Sequence, residues 1–249
     1  MRQDMVALVT GASRGLGLEV ARLLARRGAR LILTARGGEA LERAAGGLAA
    51  PANLLALPGD IADPQHVERL VARGVRRFGR IDLLVNNAST LGPSPMPRLE
   101  ALPLDALDRV IRVNVSAPLH LLQLVLPQMR ARSEGTIVNV TSDAAVQAYP
   151  GWGGYGVSKA ALEHLSRVLA AEIAGSGVRI YVVDPGEMNT QMYRDASPGA
   201  DVSALPGPER AAARLVDLVE HQTEPYGRFE LQAWKARGPE PEVASGMRE

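Results

Sequence analysis

Short apolar runs recur along the chain: "MVALVT" (5–10), "RLILTA" (30–35), "NLLAL" (53–57), "IDLLVN" (81–86), "TIVNVT" (136–141) and "VRIYVV" (178–183). Runs this short and this uniformly apolar suit strands buried on both faces, which is the environment of a parallel sheet. Parallel neighbours need long crossovers, and helices usually supply them. Between the runs the pattern changes to a helical period, at about 16–27, 64–78, 104–131, 155–174 and 209–221, with Gly28, Gly79 and Gly175 closing several segments. The repeated βαβ order predicts an α/β fold. It is a single-domain, Rossmann-like doubly wound parallel sheet of about seven strands with helices on both faces. The seventh strand is expected at 228–234. Pro118 and Pro127 fall inside the stretch 104–131 and are expected to kink or end that helix.

A chain of 249 residues suits one such domain, taken here as residues 1–234. Two stretches break the rhythm, "TLGPSPMPR" (90–98) and "TQMYRDASPGADVSALPGPE" (190–209). Long irregular loops in a compact domain are usually functional, so the second is read as a lid over a substrate. The segment 235–249, "KARGPEPEVASGMRE", is charged and rich in Pro and Gly, and is expected to be a flexible tail.

Charge narrows the function. A formal net charge of +1 offers no field that would favour nucleic acid or a membrane surface, and neither is expected as a partner. The absence of Cys excludes disulfides, thiolate metal sites and a cysteine nucleophile. His66, His120, His164 and His221 have no metal-ligand spacing, and no metal is expected. The first apolar run is too short for a signal peptide or membrane span, which makes a cytoplasmic protein the expectation.

The chemistry begins after the first strand, where "GASRGLG" places Gly11, Gly15 and Gly17 at the entry to a helix. Glycines allow a tight turn and close backbone approach, and a helix N-terminus offers unpaired N–H groups, so the turn suits a pyrophosphate. Dinucleotide folds that choose NAD carry an acidic residue at the end of the second strand; this chain has Arg36 there. A guanidinium clamps a 2′-phosphate that a carboxylate would repel, so NADP(H) is expected in preference to NAD(H).

A second constellation lies at "WGGYGVSK" (152–159), where Lys159 follows Tyr155 by one helical turn. Lys159 and Lys235 are the only lysines among 28 basic residues, so lysine at this position is not the chain's habitual surface cation. Carbonyl reduction needs a proton on the oxygen, and a tyrosine is a candidate acid whose pKa a neighbouring ammonium would lower.

The loop "TGASRGLG" resembles the T-G-x-x-x-G-x-G cofactor loop of the short-chain dehydrogenase/reductase family, and "YGVSK" resembles its Y-x-x-x-K motif. The resemblance implies that Gly11, Ser13, Arg14, Gly15, Leu16 and Gly17 hold the cofactor, Arg14 as a second cation of the NADP-preferring kind. It implies that Asp60 and Ile61 of "GDIAD" bracket the adenine, and that Asn87 and Ala88 of "NNAS" lie beside the cofactor, Ser89 replacing the usual glycine. Pro185, Gly186 and Thr190 of "DPGEMNT" are similar to the stretch that holds the carboxamide. By the same resemblance Ser142, Tyr155, Lys159 and Asn114 form the catalytic tetrad: Ser142 bonds the substrate oxygen, Tyr155 is the acid/base, Lys159 also holds the ribose, and Asn114 serves a proton relay. Thr141 is the alternative to Ser142, although strand alternation points it to the other side.

The implied activity is hydride transfer between nicotinamide C4 and a small-molecule carbonyl or secondary alcohol. The rival reading is a non-catalytic NADP(H)-binding sensor or scaffold; a sugar-nucleotide epimerase would need a larger substrate domain. Glu187 and Asp143 near the pocket would favour a neutral, hydroxylated or cationic carbonyl compound, and Tyr149, Trp152, Met192 and Tyr193 are placed to wall it. The C-terminal region, "YGRFELQAWKARG", lacks the family's Asp-Gly-Gly tetramer segment. A homodimer through the helices at 104–131 and 155–174 is expected, with a tetramer as the alternative.

Overall fold

The structure, a computed structural model, describes residues 4–48 and 50–235. The expected tail therefore lies outside the described residues, apart from Lys235. The elements run β1 (Val6–Thr10), α1 (Gly15–Arg26), β2 (Arg30–Thr34), α2 (Gly38–Ala45), β3 (Leu54–Ala56), α3 (Pro64–Phe78), β4 (Leu83–Asn86), α4 (Leu104–Ile111), α5 (Ala117–Ala131), β5 (Gly135–Val140), α6 (Gly153–Glu172), β6 (Val178–Asp184), α7 (Gln191–Ala196), α8 (Pro208–His221) and β7 (Tyr226–Glu230). All strand pairs are parallel, and the seven-stranded order is β3-β2-β1-β4-β5-β6-β7.

Alternate strand residues feed two cores. Ala7, Val9, Leu31, Leu33, Val138 and Val183 face α1, α2 and α8, while Val6, Leu8, Ile32, Leu84, Ile137 and Ile180 face α3, α5 and α6. Burial on both sides explains why these strands read as continuous apolar runs. Strand order reverses between β1 and β4, so the two halves of the sheet diverge there and open a crevice beyond the strands' carboxyl ends. Asp63 caps α3 by accepting from the Gln65 N–H at 3.0 Å, Pro64 follows, and Gly79 at φ +81° closes it.

The prolines do not end the long helix. Residues Arg112–Ser116 form a π-helical turn between α4 and α5, and Pro118 follows directly after it, the helix continuing through both. α5 runs on through Pro127 to Ala131. An interior proline costs roughly 3 kcal/mol, but burying Leu121, Leu122, Val125 and Met129 contributes about 1.5–3 kcal/mol each. The combined stretch Leu104–Ala131 is long and apolar enough to cross a membrane by length and composition, and its apolar side is packed into the second core.

Three boundaries differ from expectation. β7 is Tyr226–Glu230, because its register against Ile180–Asp184 ends at Glu230 and Leu231 then turns into the core. α2 has only Leu41 and Ala45 buried, too few to set a visible period. The irregular stretch after Thr190 contains α7, capped by the Thr190 hydroxyl, which accepts from the Tyr193 N–H at 3.3 Å.

Candidate active site

The β1–α1 loop is built around missing side chains. Gly11 has φ +65°, and a Cβ there would lie 2.9 Å from Asn87 Nδ2; one on Gly17 would lie 2.5 Å from Gly11 O. That space is filled by β4's end. Asn87 Nδ2 donates to Thr10 O at 2.9 Å, and the N–H groups of Asn87 and Ala88 both donate to Thr10 Oγ1 at 3.0 and 2.9 Å. α1 starts at Gly15 with no side-chain cap, leaving its first N–H groups for another acceptor.

A cavity of about 1430 Å³ runs along the carboxyl ends of the strands. Gly11, Ser13, Arg14, Gly15, Leu16, Arg36, Asp60 and Ile61 line one end, Asn87 and Ala88 the middle, and Ser142, Tyr155, Lys159, Pro185, Gly186 and Thr190 the other. The expected residues Gly17 and Asn114 are not on its wall. Gly17 makes room for the loop from behind. Asn114, buried in the π-helical turn, donates to Thr90 O and Ser158 Oγ, both at 2.9 Å, and accepts from the Thr90 N–H at 2.9 Å and the Ser89 hydroxyl at 3.1 Å.

At the deep end, Tyr155 and Lys159 share a face of α6, as their spacing requires. Lys159 is 2% exposed, its Nζ donates to Val140 O at 2.8 Å, and it lies 5.4 Å from the Tyr155 ring centre. Burial pushes the Lys159 ammonium down to about 8 while the Asp184 charge pulls the other way. The net shift of Tyr155 is upward, where a lowered phenol was expected. Burial pushes the phenol up, the charges of Asp184 and Asp143 add to this, and hydrogen bonds with Ser142 and Ser89 oppose it.

Ser142 and Thr141 both line the cavity; the Ser142 hydroxyl donates to Asp143 Oδ1 at 2.8 Å, while the buried Thr141 hydroxyl is committed to Glu163 Oε1 at 2.8 Å. The Tyr149 hydroxyl donates to Asp143 Oδ2 at 2.7 Å and the Tyr193 hydroxyl to Glu187 Oε1 at 3.1 Å. Trp152 meets Tyr155 edge to face at 6.0 Å. With Met192, these rings line the cavity around Ser142 and Tyr155.

At the shallow end, Arg14 and Arg36 are exposed on the cavity rim. Asp60 is held by a residue that motif reading missed: Arg109 of α4 donates to its Oδ2 at 2.5 Å, and the Ala62 N–H donates to Oδ1 at 2.9 Å. Burial works against the carboxylate, but these two bonds and the nearby Arg36 outweigh it and hold Asp60 below the usual carboxylate range. Arg109 lies far along the chain from Asp60, in no motif; only the packing of α4 brings it there.

This geometry has close counterparts. The family model for short chain dehydrogenase matches residues 5–201. The 2-(R)-hydroxypropyl-CoM dehydrogenase of Xanthobacter autotrophicus is 38% identical over 189 residues, 75% of this chain and 76% of that one. The rhamnolipid-biosynthesis 3-oxoacyl-(acyl-carrier-protein) reductase of Pseudomonas aeruginosa is 34% identical over 232 residues, 86% of this chain and 88% of its own. Among solved structures, a metagenomic short-chain oxidoreductase in complex with NADP superposes with TM-score 0.75 at 28% identity, covering 92% of this chain and 99% of that one. An alcohol dehydrogenase from the archaeon Thermococcus sibiricus, complexed with 5-hydroxy-NADP, gives 0.80 at 29%, covering 91% and 95%. The doubly wound sheet, the glycine loop at its switch point and the match over residues 5–201 together place this chain in the short-chain dehydrogenase/reductase family of oxidoreductases.

Proposed function

We propose that this protein is an NADP(H)-dependent carbonyl reductase, or in reverse an alcohol dehydrogenase. The observation that carries the reading is the buried Tyr155–Lys159 pair beside Ser142, at one end of a cavity whose other end is the glycine loop. The residues fit the cofactor: the places a Cβ would fill at Gly11 and Gly17 are needed for the turn, α1 begins uncapped, and Arg14 and Arg36 stand on the rim. The glycine loop and the start of α1 would hold the pyrophosphate, Arg14 and Arg36 a 2′-phosphate, Asp60 and Ile61 the adenine, and Asn87, Ala88, Pro185, Gly186 and Thr190 the nicotinamide half.

When bound, NADP(H) supplies or takes the hydride at the carbonyl carbon. Tyr155 holds the proton at Oη and gives it to the carbonyl oxygen as charge develops there. Ser142 Oγ lies on the same wall and bonds that oxygen once it turns its hydrogen from Asp143. Lys159 would hold the ribose, and its ammonium, 5.4 Å from the Tyr155 ring centre, would oppose the negative charge left on the phenolate. Asn114 pins Ser89, Thr90 and Ser158 and so fixes the floor behind Tyr155. Asp143 and Glu187 make the mouth negative and favour neutral, hydroxylated or cationic carbonyl compounds over carboxylates.

A homodimer is part of this reading: Leu119 on α5 and Val157 and Val168 on α6 are 36%, 53% and 45% exposed, apolar side chains on the two helices expected to pair. The test of the activity is NADPH oxidation by wild type and Tyr155→Phe over aldehydes, ketones, diketones and quinones. Loss of about 10²–10⁴-fold in turnover with NADPH binding retained is the expected result. A wild type that binds NADPH and reduces nothing on the panel overturns the reading in favour of a binding protein.

A further inference from the structure

Beside the catalytic residues lies a set of buried charges to which the mechanism gives no role. Asp184, the last residue of β6, is 7% exposed, and Glu163 of α6 is 5% exposed. Arg228 of β7 serves both: its Nε donates to Glu163 Oε1 at 3.0 Å and its Nη2 lies 3.7 Å from Asp184 Oδ2, while its Nη1 donates to Glu230 Oε1 at 2.7 Å. One guanidinium thus faces three carboxylates, and a buried charge without an opposite charge is expensive. Asp184 also accepts from the Gly186 N–H at 2.9 Å.

The nearest further cation follows from strand register. Lys159 Nζ rests on Val140 O at 2.8 Å. Val140 is paired with Val183 on the adjoining strand, and the Thr141 N–H donates to Val183 O at 2.8 Å. Asp184 is the next residue, so its backbone stands diagonally across from the Val140 carbonyl that holds the ammonium, one strand over and one residue along. Both side chains line the same cavity.

We infer that Asp184 is the counter-charge of Lys159, a positioning residue that keeps the buried ammonium protonated and so sets the pH range in which the site works. This rests on the reading of Lys159 as part of a reductase. The titratable and charged groups on the elements around Lys159 are Tyr155 and Glu163 on its own helix, Asp143 after β5, Asp184 and Glu187 at the end of β6, and Arg228 and Glu230 on β7. Of these, Asp184 opposes the burial of the ammonium, and Arg228 helps keep Asp184 ionised against its own burial. The sign is fixed by electrostatics. Removing a negative neighbour destabilises the ammonium, so Lys159 loses its proton at lower pH; the same loss favours the Tyr155 phenolate, so Tyr155 also titrates lower. Both limbs of a pH–rate profile then move toward acid together, whereas a merely structural defect lowers its height.

The sequence makes the measurement direct, because Lys159 and Lys235 are the only lysines. Protein labelled with ¹³C-lysine carries one Lys159 resonance and, as internal reference, that of the exposed Lys235. Wild type, Asp184→Asn and Asp184→Ser are titrated; both variants keep an acceptor for the Gly186 N–H. Lys159 should titrate near 8 in wild type and about one pH unit lower, a tenfold loss of proton affinity, in the variants, with Lys235 unmoved. The NADPH-linked activity of Asp184→Asn should peak at correspondingly lower pH. A Lys159 midpoint that stays in place in either folded variant overturns the inference, whatever the activity. If neither variant folds, wild type carries the test: its Lys159 resonance should show a second inflection at acid pH as Asp184 protonates, and a single inflection overturns the inference. A shifted midpoint in a protein that reduces no carbonyl compound leaves the counter-charge standing and removes the reductase reading instead.

Discussion

Arg36 stands exposed on the rim of the cavity, at the end of β2, where a carboxylate would serve a ribose hydroxyl and repel a phosphate. Its charge is therefore separable from the fold. Arg36→Asp should raise the KM for NADPH by roughly 10–100-fold, the loss of one charge-assisted pair of about 1.5–3 kcal/mol, and leave NADH equal or better. Steady-state kinetics with both nucleotides decide it, and an unchanged NADPH KM would remove Arg36 from the 2′-phosphate site. Position alone singles this residue out for the test, since the end of the second strand is visible as the end of an apolar run. Arg109 was not legible: its bond to Asp60 joins two segments that only the packed fold brings together. The same holds for Tyr155. Its spacing to Lys159 fixed their shared helical face, but the direction of its pKa shift depends on burial and on Asp184, which arrives from another strand.

At the scale of elements, the β1–α1 loop is the part least tolerant of change. A methyl group at Gly17 would meet the Gly11 carbonyl at 2.5 Å, and backbone cannot swing aside as a flexible side chain would. Gly17→Ala should destabilise the fold by about 1–3 kcal/mol and weaken nucleotide binding, read as a lower Tm and a lost thermal shift on adding NADPH. A normal Tm with normal NADPH response would show that the loop has slack the packing does not suggest. Motif reading placed this glycine on the cofactor; the structure places it behind the loop, against Asn87. The long helix carries the opposite lesson. Pro118 and Pro127 argue locally for a break, yet a π-helical turn and a buried apolar side let one helix run from Leu104 to Ala131.

For the whole molecule, the homodimer expected from the C-terminal sequence is matched by apolar side chains exposed on α5 and α6. Light scattering at micromolar concentration should give twice the 26.5 kDa chain mass, and Val157→Glu combined with Val168→Glu should shift it to monomer with the fold intact. A wild-type monomer would refute the pairing. By itself the sequence determined the layer architecture, the parallel sheet and the location of the glycine loop and the Tyr–Lys pair. Those features follow from periodicity and from spacings within one element, which the chain carries locally. Only the tertiary structure decided which distant charges meet: Arg109 with Asp60, and Arg228 with Glu163 and Asp184 beside Lys159. It also decided how far each is buried, and so which way each titrates. The physical reason is that desolvation and Coulomb interactions depend on distance through space, and the crossing of helices and strands, not position along the chain, sets that distance.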